Sequence, residues 1–268
     1  MESRGVNIHQ NAQVDPGAKL GVGVTVGPFC VVGSGVVLGD GCELASHVVL
    51  DGNLTVGARN RFFPFSSAGL EPQDLKYHGE ESSVVIGDDN TIREHTTIHA
   101  GTEGGGMITR IGNGNLLMAY THVAHDCQLG DHIVLANGAT LAGHVTIEDD
   151  AIIGGLTAIH QFLRIGRLAM IGGMSGIVKD VPPFTMIAGG YRPGLAGLNL
   201  VGMRRHGFDK DRVSCMKRVY RALFQRDSSQ EERLHEATTQ AENDADAAYL
   251  IDFITTAKRG VTQPRGED

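Results

Sequence analysis

A six-residue repeat runs through the first two thirds of this 268-residue chain. Every sixth position is apolar over ten positions from 8 to 62, then over three from 86 to 98, and again over twelve from 111 to 177. Neither a helix of 3.6 residues per turn nor a strand of period two produces this spacing. The repeat therefore predicts a three-sided coil in which each hexapeptide supplies one short strand and parallel strands stack about 4.8 Å apart.

The composition suits a coil with a narrow interior. Glycine accounts for 37 residues, whereas Phe, Tyr and Trp together make up 5% of the chain. Small aliphatic side chains must therefore fill the core, and glycine supplies the positive φ that sharp corners require. The balance of 41% hydrophobic and 20% charged residues is that of a globular protein and rules out disorder and collagen.

Charge and cysteine content exclude several other classes. The net charge of −8 predicts no nucleic-acid partner, because nucleic-acid binding depends on basic surface. No apolar run approaches the roughly 18 residues that span a bilayer, and the first residues lack a signal-peptide pattern. We therefore expect no integral membrane segment and a cytoplasmic location. The four cysteines form no C-x-x-C pair and are predicted to be reduced thiols.

Two insertions interrupt the repeat, near residues 70–85 and 101–110. Insertions in a coil emerge as loops, often on the binding face. The second contains three consecutive glycines but lacks G-K-[ST], so we expect a flexible loop and not a phosphate cradle. From Asp209 onward, apolar residues recur at helical spacing. The chain is thus divided into a coil domain, residues 1–190, and a helical domain, residues 191–268.

Histidines concentrate on the coil after the first insertion. Residues three hexapeptides apart lie one above another on successive coils, which places His125, Gly143 and Gln161 in one column. Imidazole titrates near neutral pH and can remove a proton from a hydroxyl group. Asp126 can hold the imidazole tautomer, and the Gly143 N–H can stabilise an oxyanion. His125, Asp126 and Gly143 are therefore the candidate catalytic group.

Two other interpretations of these histidines stay open on this pattern alone. Histidines on the face of a coil are often simply solvated, as in a non-catalytic scaffold. Histidine is also the commonest zinc ligand, and His122-x-x-His125 with His144 resembles a three-ligand set. A γ-type carbonic anhydrase has a similar coil and holds zinc through histidine, but it accounts for neither the helical domain nor Asp126.

Four segments carry a closer resemblance: NLLMAYTHVAHDC (115–127), LANGATLAGH (135–144), GGLTAIHQ (154–161) and QDLKY (73–77). Together they resemble the UDP-N-acetylglucosamine O-acyltransferase family of hexapeptide-repeat enzymes. The resemblance implies an all-β parallel β-helix, left-handed and three-sided, followed by a small α-helical C-terminal domain and assembled as a homotrimer. It implies transfer of an (R)-3-hydroxyacyl group from acyl carrier protein to the glucosamine 3-hydroxyl of UDP-N-acetylglucosamine, the first step of lipid A biosynthesis. The carrier thioester is the co-substrate, and no metal or dissociable cofactor is implied.

The resemblance also implies roles for individual residues. His125 is the general base, Asp126 orients it, and the Gly143 N–H forms the oxyanion hole. His206 stands where a second phosphate-contacting arginine is common. Nine further positions match residues of the family that bind the substrates: Asp74, Lys76, His99, His122, His144, His160, Gln161, Asn199 and Arg205.

Two more expectations concern the acyl chain and its carrier. Gly173 lies two hexapeptides beyond Gln161, and we expect it on the same face of the acyl groove that the resemblance implies. We expect its missing side chain to admit a long acyl chain such as 3-hydroxymyristoyl, with Met170 as adaptable lining. Residues 204–226 hold eight Lys or Arg against two Asp, and a basic patch there is predicted to attract the acidic carrier: Arg212, Arg218 and Arg221.

Overall fold

Short parallel strands form three sheets, named A, B and C in the order in which the chain visits them. The computed structural model describes residues 5–190, 193–241 and 243–264. From β1 to β26, consecutive strands lie in different sheets, and each strand up to β23 pairs in parallel with the strand three elements further on, so three strands make one coil. The registers Asn7 to Thr25 and Gln13 to Val31 show that one coil takes three hexapeptides, as the repeat predicts.

Most strands are two residues long, because one hexapeptide supplies both a strand and a turn. Sheet A contains β1 (Asn7–Ile8), β4 (Thr25–Val26), β7 (Glu43–Leu44), β10 (Arg61–Phe62), β13 (Thr91–Ile92), β16 (Leu116–Leu117), β19 (Val134–Leu135), β22 (Ile152–Ile153), β25 (Met170–Ile171), β27 (Thr185–Ala188) and β28 (Gly194–Leu198). Sheet B contains β2 (Gln13–Val14), β5 (Val31–Val32), β8 (Val49–Leu50), β11 (Ser67–Leu70), β14 (Thr97–His99), β17 (His122–Val123), β20 (Thr140–Leu141), β23 (Ala158–Ile159) and β26 (Gly176–Ile177). Sheet C contains β3 (Lys19–Leu20), β6 (Val37–Leu38), β9 (Asn53–Val56), β12 (Ser83–Ile86), β15 (Ile108–Ile111), β18 (Gln128–Leu129), β21 (Thr146–Ile147) and β24 (Arg164–Ile165).

The apolar position of each hexapeptide points into the prism that the three sheets enclose. From Val26 onward these side chains are buried, and so are the small residues two positions earlier, such as Val24 and Val36. Ile8, in the first described strand, is 45% exposed because no earlier strand among the described residues packs against it. Burial of this aliphatic column is the main stabilising contribution to the prism.

Asparagine takes the small-residue position in the middle coils. Asn60 Oδ1 accepts hydrogen bonds from both nitrogens of Asn90, at 3.0 and 2.9 Å. Asn90 Oδ1 accepts from the Asn115 N–H at 2.8 Å, and Asn115 Oδ1 accepts from the Ile133 N–H at 2.7 Å. Buried polar groups must be paired in this way, so the ladder satisfies the backbone where the insertions lengthen the coils.

Both insertions leave the prism at the same edge. We name each edge after the two sheets that its turns connect. Residues 71–82 join β11 to β12, and residues 100–107, with a 3₁₀ turn at Glu103–Gly105, join β14 to β15. Both segments therefore lie on the B–C edge, where the turns after β17, β20 and β23 also lie. Those turns carry the predicted residues His125, His144 and Gln161, so one edge gathers the candidate chemistry.

Four helices follow the prism in the described part of the chain: α1 (Leu200–Arg205), α2 (Lys210–Phe224), α3 (Gln230–Ala241) and α4 (Ala245–Thr256). Their apolar faces pack on one another and on Leu168 and Phe184 of the prism. Strand β28 pairs antiparallel with β27 across the predicted boundary after residue 190. Residues 191 and 192 lie outside the described residues, and the division into two domains stays a prediction. No described helix has the length and apolar character needed to cross a bilayer.

Candidate active site

A histidine and a carboxylate form a close pair on the B–C edge. His125 Nδ1 lies 2.8 Å from Asp126 Oδ2, and the Asp126 side chain is fully buried. An ionised carboxylate accepts hydrogen bonds only, so Nδ1 carries the proton and Nε2 keeps its lone pair. The His125 side chain is 14% exposed. Its free ring nitrogen is therefore placed to remove a proton from a bound hydroxyl group.

The second insertion holds the carboxylate in place. Asp126 Oδ1 accepts the Thr102 N–H at 2.9 Å, and Oδ2 accepts the Thr102 hydroxyl at 2.6 Å. A side chain at Gly105 would bring its Cβ within 2.0 Å of Asp126 Cγ. The missing side chain of Gly105 therefore allows the loop to approach Asp126 closely, whereas a Cβ at Gly104 or Gly106 would meet nothing within 4 Å. The glycine pattern alone does not reveal this packing contact between successive coils, and the flexibility of the loop stays a prediction.

Gly143 lies beneath the ring of the candidate base, one coil further on. A Cβ at this position would lie 2.4 Å from His125 Cε1 and 2.5 Å from Nε2, so the column permits no side chain here. The neighbouring His144 N–H donates to the His125 carbonyl at 3.0 Å, which fixes the stacking of the two turns. Within the described residues the Gly143 N–H donates no hydrogen bond. Gly143 is itself buried, so this N–H is an unused donor that lies beside the His125 ring.

A row of rings continues along the edge from the candidate base. The His144 ring lies edge-on to that of His125, with centroids 4.9 Å apart. Phe162 stacks on His144 at 4.2 Å with an interplanar angle of 8°. Burial lowers the pKa of His144 from its ordinary value, although Asp126 opposes the shift. The lowered pKa favours the neutral imidazole near pH 7. Contacts with His125 on one side and Phe162 on the other fix the position of the ring.

Two further histidines, His99 in β14 and His122 in β17, lie on sheet B near His125. His122 Nδ1 lies 2.6 Å from the Thr97 hydroxyl, and the His99 ring meets the His122 ring edge-on at 4.9 Å. Burial, reinforced by the nearby imidazoles, lowers the pKa of His99 to about 4 and also lowers that of His122. Nδ1 of His99 is buried without a hydrogen-bond partner among the described residues. Both rings are therefore neutral near pH 7.

This burial predicts a pH dependence of stability. The neutral form of His99 is favoured in the fold, so stability falls as pH drops below about 6.5, the unfolded value, and levels off near 4. Between pH 7.5 and 5 this group alone costs about 2 kcal/mol. The unfolding free energy of wild type relative to His99→Gln is therefore expected to fall by that amount over this range. Urea unfolding at both pH values measures it, and a pH-independent difference would contradict the account.

The first insertion supplies the opposite wall. Asp74 Oδ2 lies 4.0 Å from His125 Nε2, and Lys76 in the same loop is exposed beside His144. A cavity of about 570 Å³ lies next to them, with Gln73, Tyr77 and His99 among its lining residues. The predicted motif QDLKY thus faces the histidines. Its polar groups and the cavity suit a hydroxyl-rich ligand.

His160 and Gln161 occupy the next turn of the same edge. Both are exposed, and His160 Nδ1 lies 3.2 Å from the Gln161 carbonyl. The turn is stacked on the column below, because the Phe162 N–H donates to the Gly143 carbonyl at 3.1 Å. The structure therefore brings together predicted residues of the first insertion, of strands β14 and β17 and of three turns: Asp74, Lys76, His99, His122, His125, Asp126, Gly143, His144, His160 and Gln161.

The zinc interpretation can be compared with this geometry. Among the described residues, one group of potential metal ligands converges within 4.8 Å, and it consists of His125, Asp126 and His144. His122, which completed the ligand set suggested by the sequence, is not part of it and is bonded to Thr97 instead. Both oxygens of Asp126 already accept hydrogen bonds. This donor set fits an imidazole–carboxylate pair better than a zinc site.

Two predicted nucleotide-binding residues lie elsewhere on the prism. Asn199 caps α1, because its Oδ1 accepts the Gly202 N–H at 2.9 Å, and its Nδ2 donates to the Leu168 carbonyl. His206 pairs with Asp150 at 3.2 Å. Leu168 and Asp150 are in turns of the C–A edge, so α1 and its exposed Arg205 lie there. Within one chain, Asn199, Arg205 and His206 therefore lie on a different edge from His125.

The expectation that Gly173 shares a face with Gln161 is wrong. Gly173 follows β25 of sheet A and precedes β26 of sheet B, so it lies on the A–B edge, whereas Gln161 lies on the B–C edge. The reason is the coil arithmetic. Three hexapeptides make one coil, and the step from Gln161 to Gly173 covers only two of them, so the chain advances by two edges and does not return to its starting edge. Met170, in β25, is exposed on sheet A.

The predicted basic patch is smaller than its composition suggests. Arg212 pairs with Asp244 at 3.4 Å and with Asp246, and its guanidinium covers the Phe208 ring. Arg218 donates to the Gln240 side chain at 3.1 Å. Arg221 is exposed on α2. The count over residues 204–226 did not include Asp244 and Asp246, which neutralise part of the patch.

Comparison with known proteins agrees with this architecture. A family model described as bacterial transferase hexapeptide (six repeats) matches residues 17–52 and 108–143. A second, described as UDP N-acetylglucosamine O-acyltransferase, domain 2, matches residues 180–262. The two matches fall on the prism and on the helical region that follows it.

Whole-chain relatives extend the match. The acyl-[acyl-carrier-protein]–UDP-N-acetylglucosamine O-acyltransferase of Halorhodospira halophila is 50% identical over 95% of this chain and 98% of its own. That of Aliarcobacter butzleri is 46% identical over 95% and 97%. The solved UDP-N-acetylglucosamine acyltransferase of Francisella novicida, 39% identical, superposes with a TM-score of 0.93 over 97% of this chain and 95% of that chain. The predicted fold class, a left-handed parallel β-helix followed by helices, is thereby confirmed, and the chain belongs to the UDP-N-acetylglucosamine O-acyltransferase family.

Proposed function

We propose that the chain transfers an (R)-3-hydroxyacyl group from acyl carrier protein to the glucosamine 3-hydroxyl of UDP-N-acetylglucosamine, the first step of lipid A biosynthesis. One observation carries the proposal. On the B–C edge, a histidine whose Nδ1 is bonded to the buried Asp126 lies over Gly143, whose N–H donates no hydrogen bond among the described residues. This is the arrangement that acyl transfer to a hydroxyl group needs, namely a base and an oxyanion donor side by side.

The chemistry follows from these positions. His125 Nε2 takes the proton of the sugar 3-hydroxyl while the oxygen attacks the thioester carbonyl. Asp126 stabilises the imidazolium that forms, as in other histidine–carboxylate pairs. The Gly143 N–H donates to the oxyanion of the tetrahedral intermediate. When the carbonyl re-forms, the C–S bond breaks and the imidazolium returns its proton to the thiolate, so the base is regenerated without a cofactor or metal.

The polar walls support the acceptor side of this proposal. Asp74, His99, His122 and the cavity beside them offer hydrogen-bonding groups to a sugar ring, and His144 and Gln161 continue that wall. Neutral imidazoles both donate and accept, which suits a row of sugar hydroxyls. We place the reaction in the cytoplasm, since the four cysteines, all among the described residues, are buried and form no disulfide with one another, which is typical of reduced proteins.

We further propose that the enzyme works as a homotrimer with shared sites. In one chain His125 lies on the B–C edge, Gly173 on the A–B edge and Arg205 beside the C–A edge. A closed threefold assembly sets different edges of neighbouring prisms against each other. An exposed apolar stripe along the A–B edge supports contact with a second copy: Phe29, Phe65, Tyr120, Leu156 and Met174.

The acyl chain is assigned to the groove that passes Gly173. The atom nearest to a Cβ at Gly173 would be the Gly155 carbonyl oxygen, at 3.0 Å, and Gly173 is exposed. We expect preference for about 14 carbons over about 10, because each buried methylene contributes roughly 0.8 kcal/mol. Relative kcat/KM over a series of 3-hydroxyacyl carriers measures this preference. A maximum near ten carbons would contradict the open groove.

Carrier docking is assigned to the basic face of α2. Arg221 is the exposed member of the predicted patch, whereas Arg212 and Arg218 are engaged within the helical region. An acidic carrier would be steered to this face at low ionic strength.

A coupled assay tests the proposed function. Purified protein is given an (R)-3-hydroxyacyl carrier thioester and UDP-N-acetylglucosamine, and release of the carrier thiol is followed. Release that requires both substrates supports transfer. Release that is equally fast without the sugar nucleotide would show simple thioester hydrolysis and contradict it.

A further inference from the structure

The chain returns to the catalytic edge after its last helix. Gly260 takes φ +69, a conformation that favours glycine, and its carbonyl accepts the Asp180 N–H at 3.2 Å. The Thr262 N–H donates to the Asp180 carbonyl at 2.8 Å, and the Val261 side chain is buried. Asp180 follows β26 and belongs to the last turn of the B–C edge. The segment around Gly260 is therefore fixed to the same edge as His125.

This segment places a guanidinium group beside the row of rings. The Arg259 Cζ lies 5.5 Å from the centroid of the Phe162 ring, and its Nη1 lies 3.4 Å from His160 Nδ1. Phe162 stacks on His144, which in turn contacts His125 edge-on. Arg259 thus ends a continuous series of contacts that begins at the candidate base. Stacking on an aromatic ring orients a guanidinium without neutralising it.

The charge of Arg259 is left free for a ligand. Within the described residues it forms no ion pair, whereas Arg167, Arg212 and Arg226 each pair with an acidic side chain. Asp180, on the same edge, is buried and accepts the Arg164 N–H at 2.9 Å. An exposed arginine that is held by its backbone and stacked on a ring is well placed to bind an anion.

We propose that Arg259 binds a phosphate group of one of the two substrates where that substrate extends past Phe162 along the B–C edge. The inference rests on the proposed function, because both substrates carry phosphate: the sugar nucleotide a diphosphate, and the carrier arm a phosphodiester. Arg205 lies beside the C–A edge of the same chain. The C-terminal segment therefore contributes a second phosphate-binding arginine, on the edge that holds the base.

The Arg259→Gln variant tests this assignment. A hydrogen bond to a charged group contributes about 1.5 kcal/mol or more, so KM for one substrate is expected to rise about tenfold while kcat changes less than about twofold. Arg259→Lys should recover part of the loss, because lysine keeps the positive charge. The recovery should be incomplete, because lysine lacks the planar guanidinium that donates two parallel hydrogen bonds. The substrate whose KM rises identifies the source of the phosphate. Titration calorimetry of each substrate with the same variants gives Kd independently of turnover.

The neighbouring Lys258→Gln serves as the matched control, because it removes the same charge one residue earlier from an exposed side chain. It should leave both KM values within about twofold. Equal unfolding temperatures of wild type and Arg259→Gln establish that the C-terminal segment stays attached. An unchanged KM and Kd for both substrates in Arg259→Gln would overturn the assignment. Absence of acyl transfer by the wild type would instead refute the proposed function, and the Kd values would still decide the role of Arg259.

Discussion

Replacing His125 with alanine is expected to lower kcat by 10²- to 10⁴-fold, the range usually attributed to a general base. Among the described residues, His125 is the ring on the B–C edge whose Nδ1 is bonded to a buried carboxylate and whose Nε2 faces the space over Gly143. Removal of the ring leaves the aliphatic core untouched, because the side chain lies outside the prism. Steady-state acyl transfer at saturating concentrations of both substrates measures the effect.

The first coil offers a control for this variant. His9 is exposed in the first described coil, where its Nδ1 accepts the Asn11 N–H at 3.1 Å. His9→Ala should retain nearly full activity. A loss below tenfold for His125→Ala would exclude His125 as the general base. Another histidine near the B–C edge would then have to serve as the base.

The Gly143→Ala variant is expected to lose about 10²- to 10³-fold in kcat. Its Cβ would lie 2.4 Å from His125 Cε1, so either the imidazole or the turn must shift, and the N–H that faces the oxyanion is covered. Loss of a single oxyanion donor has effects of this size in other enzymes that form tetrahedral intermediates. The same transfer assay measures it, together with the thermal unfolding midpoint.

Gly176 provides the matched glycine. It lies in β26 of the same prism, and a Cβ there would meet nothing within 4 Å. Gly176→Ala should therefore leave activity and stability unchanged. If Gly143→Ala unfolds the protein, the loss belongs to the scaffold. If it folds normally and keeps more than about a third of wild-type activity, Gly143 has no role as a donor.

Much of the fold could be predicted because the repeat is a direct consequence of its geometry. A strict period of six, with three hexapeptides per coil, determines three sheets and the inward-facing residues, and the structure places them so. The same arithmetic correctly set Gly143 beneath His125. The prediction for Gly173 was wrong because it used a separation of two hexapeptides from Gln161. Two residues share an edge only when the number of hexapeptides between them is a multiple of three.

Other features depend on contacts that no local pattern encodes. Thr102 reaches Asp126 from the preceding coil, and the sequence offers little sign of that approach beyond Gly105, where a Cβ would collide with the carboxylate. Phe162 and Arg259 join the site through stacking and through the return of the C-terminal segment. Neither was singled out by the sequence motifs. The short helix α1 and strand β28 likewise form where the hexapeptide pattern has ended.

Analysis of the reaction product tests the central claim most directly. The protein is incubated with an (R)-3-hydroxyacyl carrier thioester and UDP-N-acetylglucosamine, and the sugar nucleotide is examined by mass spectrometry before and after mild alkali. We expect one added 3-hydroxyacyl group that is lost in alkali, as for an ester on a hydroxyl group, and no such product with His125→Ala. An unmodified sugar nucleotide, or an acyl group that resists alkali, would contradict it.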